Sequence, residues 1–120
     1  MPFVYPYQLT FEKTTEYFIS LDAPKRIHSI IPNMKIIVVM RDPVIRAVSH
    51  FTHYLAKHKI NIAEEGDEKL TNTFKSMIFD KYGNLYTSKN VFISSGKYIE
   101  FYKNWLKYFS REQILVVVRI

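Results

Sequence analysis

The sequence contains no cysteine and only three glycines among its 120 residues. Without cysteine, neither a disulfide nor a cysteine-ligated metal site can form within this chain. No apolar run approaches the roughly 20 residues of a membrane-spanning helix. The sequence also has no G-x-x-x-x-G-K-[ST] phosphate loop, no G-x-S-x-G elbow and no H-E-x-x-H pair. These absences exclude the motifs of P-loop nucleotidases, serine hydrolases and zinc proteases from residues 1–120.

Apolar side chains dominate what is present. Hydrophobic residues make up 48% of the chain and aromatic residues 16%, which is typical of a folded domain. The length allows one domain, residues 1–120. An excess of 17 Lys+Arg over 11 Asp+Glu gives a charge of +6 and favours an anionic partner, such as a nucleotide, an acidic polysaccharide or nucleic acid. A basic surface exposed only to solvent explains the same charge equally well.

Strand-like and helix-like segments alternate along the sequence, which predicts an α/β fold with a parallel sheet flanked by helices. Strands are predicted at residues 8–12, 35–40 and 113–118, and helices at residues 23–31, 43–58, 69–80 and 98–109. The strand-like stretch from Ile114 to Ile120 runs to the last residue of the sequence. Because domains rarely end inside a strand, this indicates a fragment of a larger domain or a truncated gene model.

Residues 35–56 carry the clearest functional signal. The apolar run Ile36 to Met40 predicts a buried strand, Arg41-Asp42-Pro43 predicts a turn, and an amphipathic helix follows. Arg41 lies at the strand end and Ser49 two turns into the helix, so a guanidinium fork and a hydroxyl could meet at one phosphate. Alternatively, Arg41 pairs with Asp42 and Ser49 is simply a small helical residue.

Lys13 follows the predicted strand at 8–12 directly. If that strand is parallel to strand 35–40, Lys13 and Arg41 share the carboxyl edge of the sheet, where open α/β sheets bind ligands. A lysine there would stabilise negative charge on a leaving phosphate or sulfate oxygen. The alternative is a solvated surface lysine.

The four histidines offer a weaker signal: His28, His50, His53 and His58. The spacing of the last three allows a metal site in principle, but no carboxylate or cysteine stands at matching positions on that helix. A polar helix face explains them better, and we predict no metal site. The aromatic residues around Trp105 are predicted to be core.

Three stretches together resemble the sulfotransferases that use 3′-phosphoadenylyl sulfate (PAPS), and most closely the heparan sulfate glucosamine 3-O-sulfotransferases. The block KIIVVMRDPVIRAVSHFTHYLAKH is similar to that family's strand-turn-helix for the 3′-phosphate. MPFVYPYQLTFEKTTEYF resembles the segment ending in E-K-T-P-x-Y-F, with Thr15 where proline is usual. GKYIEFYKNWLKYFSREQILVV resembles a later helix and strand. Residues 59–90 match poorly.

The resemblance implies a P-loop-NTPase-like sulfotransferase fold and a role for four residues. Arg41 and Ser49 would bind the 3′-phosphate of PAPS. Lys13 would act electrostatically near the transferred sulfuryl group and the substrate. His53, where the family has glutamine, would contact the substrate. Arg46 belongs to the motif, either for structure or for a ligand.

The same resemblance implies that the chain is incomplete. The family's phosphosulfate loop and proposed catalytic glutamate would precede Met1, and further contacts would follow Ile120. We therefore predict a fragment of an enzyme that transfers a sulfuryl group from PAPS to a glucosamine 3-hydroxyl of heparan sulfate, inactive by itself. The alternative is a non-catalytic module of the same fold that binds a nucleotide bisphosphate or a sulfated glycosaminoglycan. Nucleic-acid binding has only the charge in its favour, and a Golgi-lumen location with a membrane anchor follows from the family alone.

Overall fold

The computed structural model describes residues 5–86 and 91–120. The helices are α1 (Ala23–Ile30), α2 (Pro43–Lys57), α3 (Ile62–Glu65), α4 (Asp67–Ile78), α5 (Val91–Ser94) and α6 (Tyr98–Trp105). The strands are β1 (Ile36–Arg41) and β2 (Ile114–Arg119), and a 3-10 turn at Arg111–Gln113 precedes β2. Within the described ranges, no helix is both long enough and apolar enough to span a bilayer.

The two strands pair in parallel, from Ile36 opposite Ile114 to Arg41 opposite Arg119. Gln113 fixes this register from one end. Its Nε2 donates to the carbonyl oxygens of Pro32, at 2.9 Å, and Met34, at 3.1 Å. The start of β2 is thus tied to the loop that enters β1. The parallel sheet with helices on it confirms the predicted fold class.

One face of the sheet is covered by α1 and α6. The buried residues of this core are Ala23, Val38, Trp105, Phe109 and Ile114. The indole Nε1 of Trp105 donates to the Phe18 carbonyl oxygen at 3.0 Å, and Asn104 Nδ2 donates to the Leu21 carbonyl oxygen at 3.0 Å. These two bonds hold α6 against the segment before α1, and Trp105 is core as predicted.

The opposite face of the sheet is open. Alternation along the strands places Ile37 and Val39 on the same side as Leu115 and Val117. Their exposed fractions are 69%, 68%, 58% and 42% in that order, although parallel strands normally bury both faces.

A second core lies between helices. It consists of Phe51 and Leu55 from α2 and Phe92 from α5, with partly buried residues from α4 packed against it. Phe51 and Phe74 bring their ring centroids to 4.8 Å, which joins α2 to α4. The apolar stripe that predicted helix 43–58 therefore packs on other helices.

Two sequence-based predictions are wrong in detail. Residues 8–12 do not form a strand; they are irregular and exposed, with Leu9 and Phe11 almost fully in solvent. A strand needs hydrogen-bonded partners, and in the described part of the chain none lies beside this segment. The helix predicted to reach Phe109 ends at Trp105, because the backbone continues in hydrogen-bonded turns at Tyr108 and Phe109.

Candidate anion-binding site

The candidate site is built on β1, the turn at Asp42 and α2. β-branched residues favour the strand over Ile36–Arg41, and Pro43, which has no N–H to satisfy, begins the helix. Arg41 is the last residue of β1 and is exposed. The chain thus turns from a strand into a helix directly after an arginine, as the sequence predicts. The prediction that this strand is buried is wrong, because only Val38 is buried and the face that carries Ile37 and Val39 is exposed.

Asp42 is the N-cap of α2 and accepts hydrogen bonds from free N–H groups at the start of the helix. Its Oδ1 accepts hydrogen bonds from the backbone N–H groups of Val44 and Ile45, both at 2.9 Å. The N-terminus of a helix can itself hold an anion through its free N–H groups. Because a carboxylate already occupies two of its donors, a bound anion is better placed beside the helix, within reach of side chains.

Ser49 stands on the exposed side of α2, six residues after Pro43 and so about 9 Å along the helix axis. Its backbone carbonyl oxygen accepts a bond from Thr52 Oγ1. Within residues 5–86 and 91–120, the side chains of Arg41 and Ser49 form no hydrogen bond or ion pair with each other or with another residue. Both polar groups are therefore available to a ligand.

The side chain of Arg46 contacts another helix of the fold. Its Nη2 donates to the carbonyl oxygen of Phe92 in α5, and its Nε is buried without a partner in the described part of the chain. The guanidinium is half-buried. Of the two possible roles left open for Arg46, these contacts support the structural one.

Lys13 and His53 are both exposed, in different surroundings. Lys13 lies in the irregular segment before α1, beside Glu12, whose Oε1 accepts a bond from Thr14 Oγ1 at 2.5 Å. The strand that was to place Lys13 on the sheet edge is absent, so the topological argument for that position is lost. His53 lies one turn after Ser49 on α2, on the same side of the helix. The roles of both residues stay predictions.

The pKa of His50 lies below its ordinary value of 6.5. Partial burial is the main cause, because it disfavours the charged ring, and the positive charges of Arg46 and His53 add to it. The ring packs edge-on against Phe92 at 4.7 Å between centroids. His50 thus belongs to the contact between α2 and α5, on the side of the helix that Arg46 uses.

The sequence interpretation missed one basic residue at this edge. Arg119, the last residue of β2, is exposed and stands directly opposite Arg41 in the register. The signal was available: two strands of similar length each end in arginine. The place of Arg119 beside Arg41, however, depends on the register of the two strands, which a single sequence does not give.

Other features of the surface fit an anion less well. A concavity of about 680 Å³ at the start of α4 is lined by Glu65, Asp67 and Glu68 and by Lys69, which is paired with Glu65, so the net charge of its lining is negative and repels an anion. A smaller apolar groove, about 240 Å³, runs between α2 and α4. In the described ranges, no group of three or more histidine, aspartate or glutamate side chains is placed to hold a metal ion.

A parallel sheet with arginines at its carboxyl edge, next to a helix that presents an exposed serine, is the arrangement of an α/β domain whose ligands bind at that edge. The chain belongs to the sulfotransferase domain family, which matches residues 18–118. Lys13 lies outside that match, whereas Arg41, Ser49 and His53 lie inside it.

Individual relatives give a finer comparison. Human heparan sulfate glucosamine 3-O-sulfotransferase 5 is 33% identical over 98% of this chain, and human 3-O-sulfotransferase 3B1 is 35% identical over 98%. The bifunctional heparan sulfate N-deacetylase/N-sulfotransferase 1 of Caenorhabditis elegans is 36% identical over 91%. The chain spans 32%, 28% and 12% of these proteins, so it corresponds to a third or less of each.

Proposed function

We propose that this chain is the portion of a heparan sulfate sulfotransferase that holds the 3′-phosphate end of PAPS. The observation that carries the proposal is the β1-turn-α2 unit, in which Arg41 and Ser49 are both exposed and without a partner in the described ranges. A planar guanidinium and a neutral hydroxyl are suitable ligands for a phosphate. The similarity to relatives named as heparan sulfate sulfotransferases supports heparan sulfate as the substrate, and the sulfotransferase domain supports a sulfate donor, for which we propose PAPS.

The reaction we propose for the whole enzyme moves a sulfuryl group from PAPS to the 3-hydroxyl of a glucosamine residue. The 3-oxygen forms a bond to sulfur and gives its proton to a general base, while the sulfur–oxygen bond to the 5′-phosphate breaks and adenosine 3′,5′-bisphosphate leaves. Lys13 would stabilise charge near the transferred group, and His53 would contact the glycan. The 3-hydroxyl is favoured over the amino group because residues 12–18 and 41–52 resemble the 3-O family in detail.

Binding of adenosine 3′,5′-bisphosphate tests the nucleotide part of the proposal. By calorimetry, we expect Arg41→Ala to weaken binding by about 10-fold or more, because a charge-assisted bond is lost, and Ser49→Ala by about 3- to 10-fold. Arg111→Ala, which removes an exposed arginine at the opposite end of β2, is the matched control. Equal affinity of wild type, Arg41→Ala and Ser49→Ala would contradict the proposal that Arg41 and Ser49 bind the phosphate.

An assay for transfer of labelled sulfate from PAPS to a heparan sulfate oligosaccharide distinguishes an enzyme from a non-catalytic binding module. We expect no transfer by the 120-residue chain and 3-O-sulfated product from the full-length transcript product. A full-length product that binds heparin in a salt-dependent way but transfers nothing would favour the anion-binding module.

A Golgi-lumen location is part of the same proposal and rests on the family resemblance. Imaging of the tagged full-length product beside a Golgi marker tests it, and a diffuse cytosolic signal would overturn it.

A further inference from the structure

Arg41 and Arg119 form a pair at the carboxyl edge of the sheet. They are the last residues of β1 and β2 and are directly opposite each other in the parallel register. Neighbouring strands lie roughly 4.8 Å apart, and residues in register on parallel strands project to the same side. Both arginines therefore extend from one face of the sheet, the face that also carries Ile37 and Val39.

Nothing in the described part of the chain balances this pair. The ion pairs there join Lys69 to Glu65 and Lys97 to Glu100, and neither involves the two arginines. Asp42, the acidic neighbour in sequence, is held by backbone N–H groups of α2. Like charges directly opposite each other on paired strands are destabilising, so the pair opposes the stability of the strand ends.

We propose that Arg119 is a second arm of the phosphate site, and that Arg41 and Arg119 together hold one dianionic phosphate. This inference rests on the proposed function, because it concerns the same 3′-phosphate. Two guanidinium groups on adjacent strands present donors from two directions, and a dianion between them replaces their repulsion with two attractions. Ser49 supplies a neutral donor from the helix side.

Two nucleotides and four variants test the inference. Adenosine 3′-monophosphate and adenosine 5′-monophosphate are titrated against wild type, Arg119→Gln, Arg119→Lys and Arg41→Ala, with Arg111→Gln as the control for removing any exposed arginine. We expect Arg119→Gln to weaken binding of the 3′-monophosphate by about 5- to 10-fold. The 5′-monophosphate should lose little, and Arg119→Lys should recover part of the affinity because it restores the charge.

Melting without ligand distinguishes a binding role from a structural one. Without a bound anion the two arginines repel each other, so Arg119→Gln should melt at the wild-type temperature or above. Added adenosine 3′-monophosphate should raise the melting temperature of this variant less than that of wild type. A lower melting temperature without ligand would assign Arg119 to the fold and overturn the inference.

The remaining outcomes separate this inference from the function on which it rests. If Arg41→Ala weakens binding and Arg119→Gln does not, Arg119 is not in the site and the proposed function stands. If neither changes binding, both fail. Equal losses for the two nucleotides in Arg119→Gln would indicate a general effect of positive charge. If Arg119→Gln lost affinity for heparin but not for the nucleotides, Arg119 would contact the glycan. Either result would overturn the shared phosphate site.

Discussion

Arg46 donates a hydrogen bond from Nη2 to the carbonyl oxygen of Phe92 and so holds α2 against α5. The neighbouring chain leaves little room. A Cβ at Gly96 would lie 3.2 Å from Cβ of Pro43 and 3.6 Å from Nε of Arg46. The orientation of the helix that presents Ser49 therefore depends on residues about fifty positions later in the sequence.

Replacing Arg46 with methionine should lower the free energy of unfolding by about 1–3 kcal/mol, because the Phe92 carbonyl loses its charged donor while the apolar stem is kept. Urea unfolding measures the change. Lys57→Met, at the exposed end of α2, is the matched control and should have little effect. A variant as stable as wild type that binds nucleotide more weakly would instead assign Arg46 to the ligand.

Replacing Asp42 with alanine should cost about 1 kcal/mol of stability, because the N–H groups of Val44 and Ile45 lose their acceptor. Asp42→Asn keeps a side-chain oxygen in the same place and should be nearly neutral. Thermal unfolding of both variants checks the prediction. If asparagine destabilises as much as alanine does, the charge of Asp42 matters more than its capping bonds.

Gln113 offers an isosteric test of the register of the sheet. Gln113→Glu keeps the shape of the side chain but turns its donor nitrogen into an acceptor, so the bonds to the carbonyl oxygens of Pro32 and Met34 are lost. We expect a loss of about 1–3 kcal/mol at neutral pH. Lys107→Gln, a change at an exposed position a few residues earlier, should leave the unfolding midpoint almost unchanged.

His50 should make stability fall as the pH is lowered. Its pKa in the folded state lies below the ordinary value of 6.5, so the unfolded chain binds the proton more readily. The contribution of His50 is fully present above pH 6.5 and is lost as the pH falls from there towards the folded-state pKa. His50→Gln should have a flatter stability profile across this window than wild type.

The cause of the His50 shift can be checked directly by a proton NMR titration of the ring. We expect its pKa below 6.5 in wild type and closer to 6.5 in His53→Gln, which removes one neighbouring charge. A His50 pKa above 6.5 in wild type would contradict both predictions.

The elements that the sequence predicted well are those with a strong periodic pattern. β1 and α2 lie within a residue of their predicted bounds, because an apolar strand, a proline and an amphipathic stripe all indicate the same boundary. The segment at 8–12 also alternates, but alternation indicates a strand only when another strand can pair with it, and the sequence does not reveal that. Lys13 was placed on the sheet edge for this reason alone.

The candidate site could be predicted in part. Arg41 and Ser49 were found because a recognisable strand-turn-helix carries them. Their unpaired state, the use of Asp42 as a cap and the contact of Arg46 with Phe92 are tertiary facts. Arg119 needed the register of two strands that are far apart in sequence, and a single sequence does not give a register.

The open face of the sheet and the arginines at its edge both make the behaviour of this chain depend on salt. The exposed side chains of Ile37, Val39, Leu115 and Val117 favour association of molecules of this chain through apolar contact, and the net charge of +6 opposes it. Added salt screens that repulsion, with a Debye length of about 8 Å at physiological ionic strength, and it also weakens an exposed phosphate site. A low protein concentration and a low ionic strength therefore favour both colloidal stability and ligand binding, and a high protein concentration with high salt favours neither.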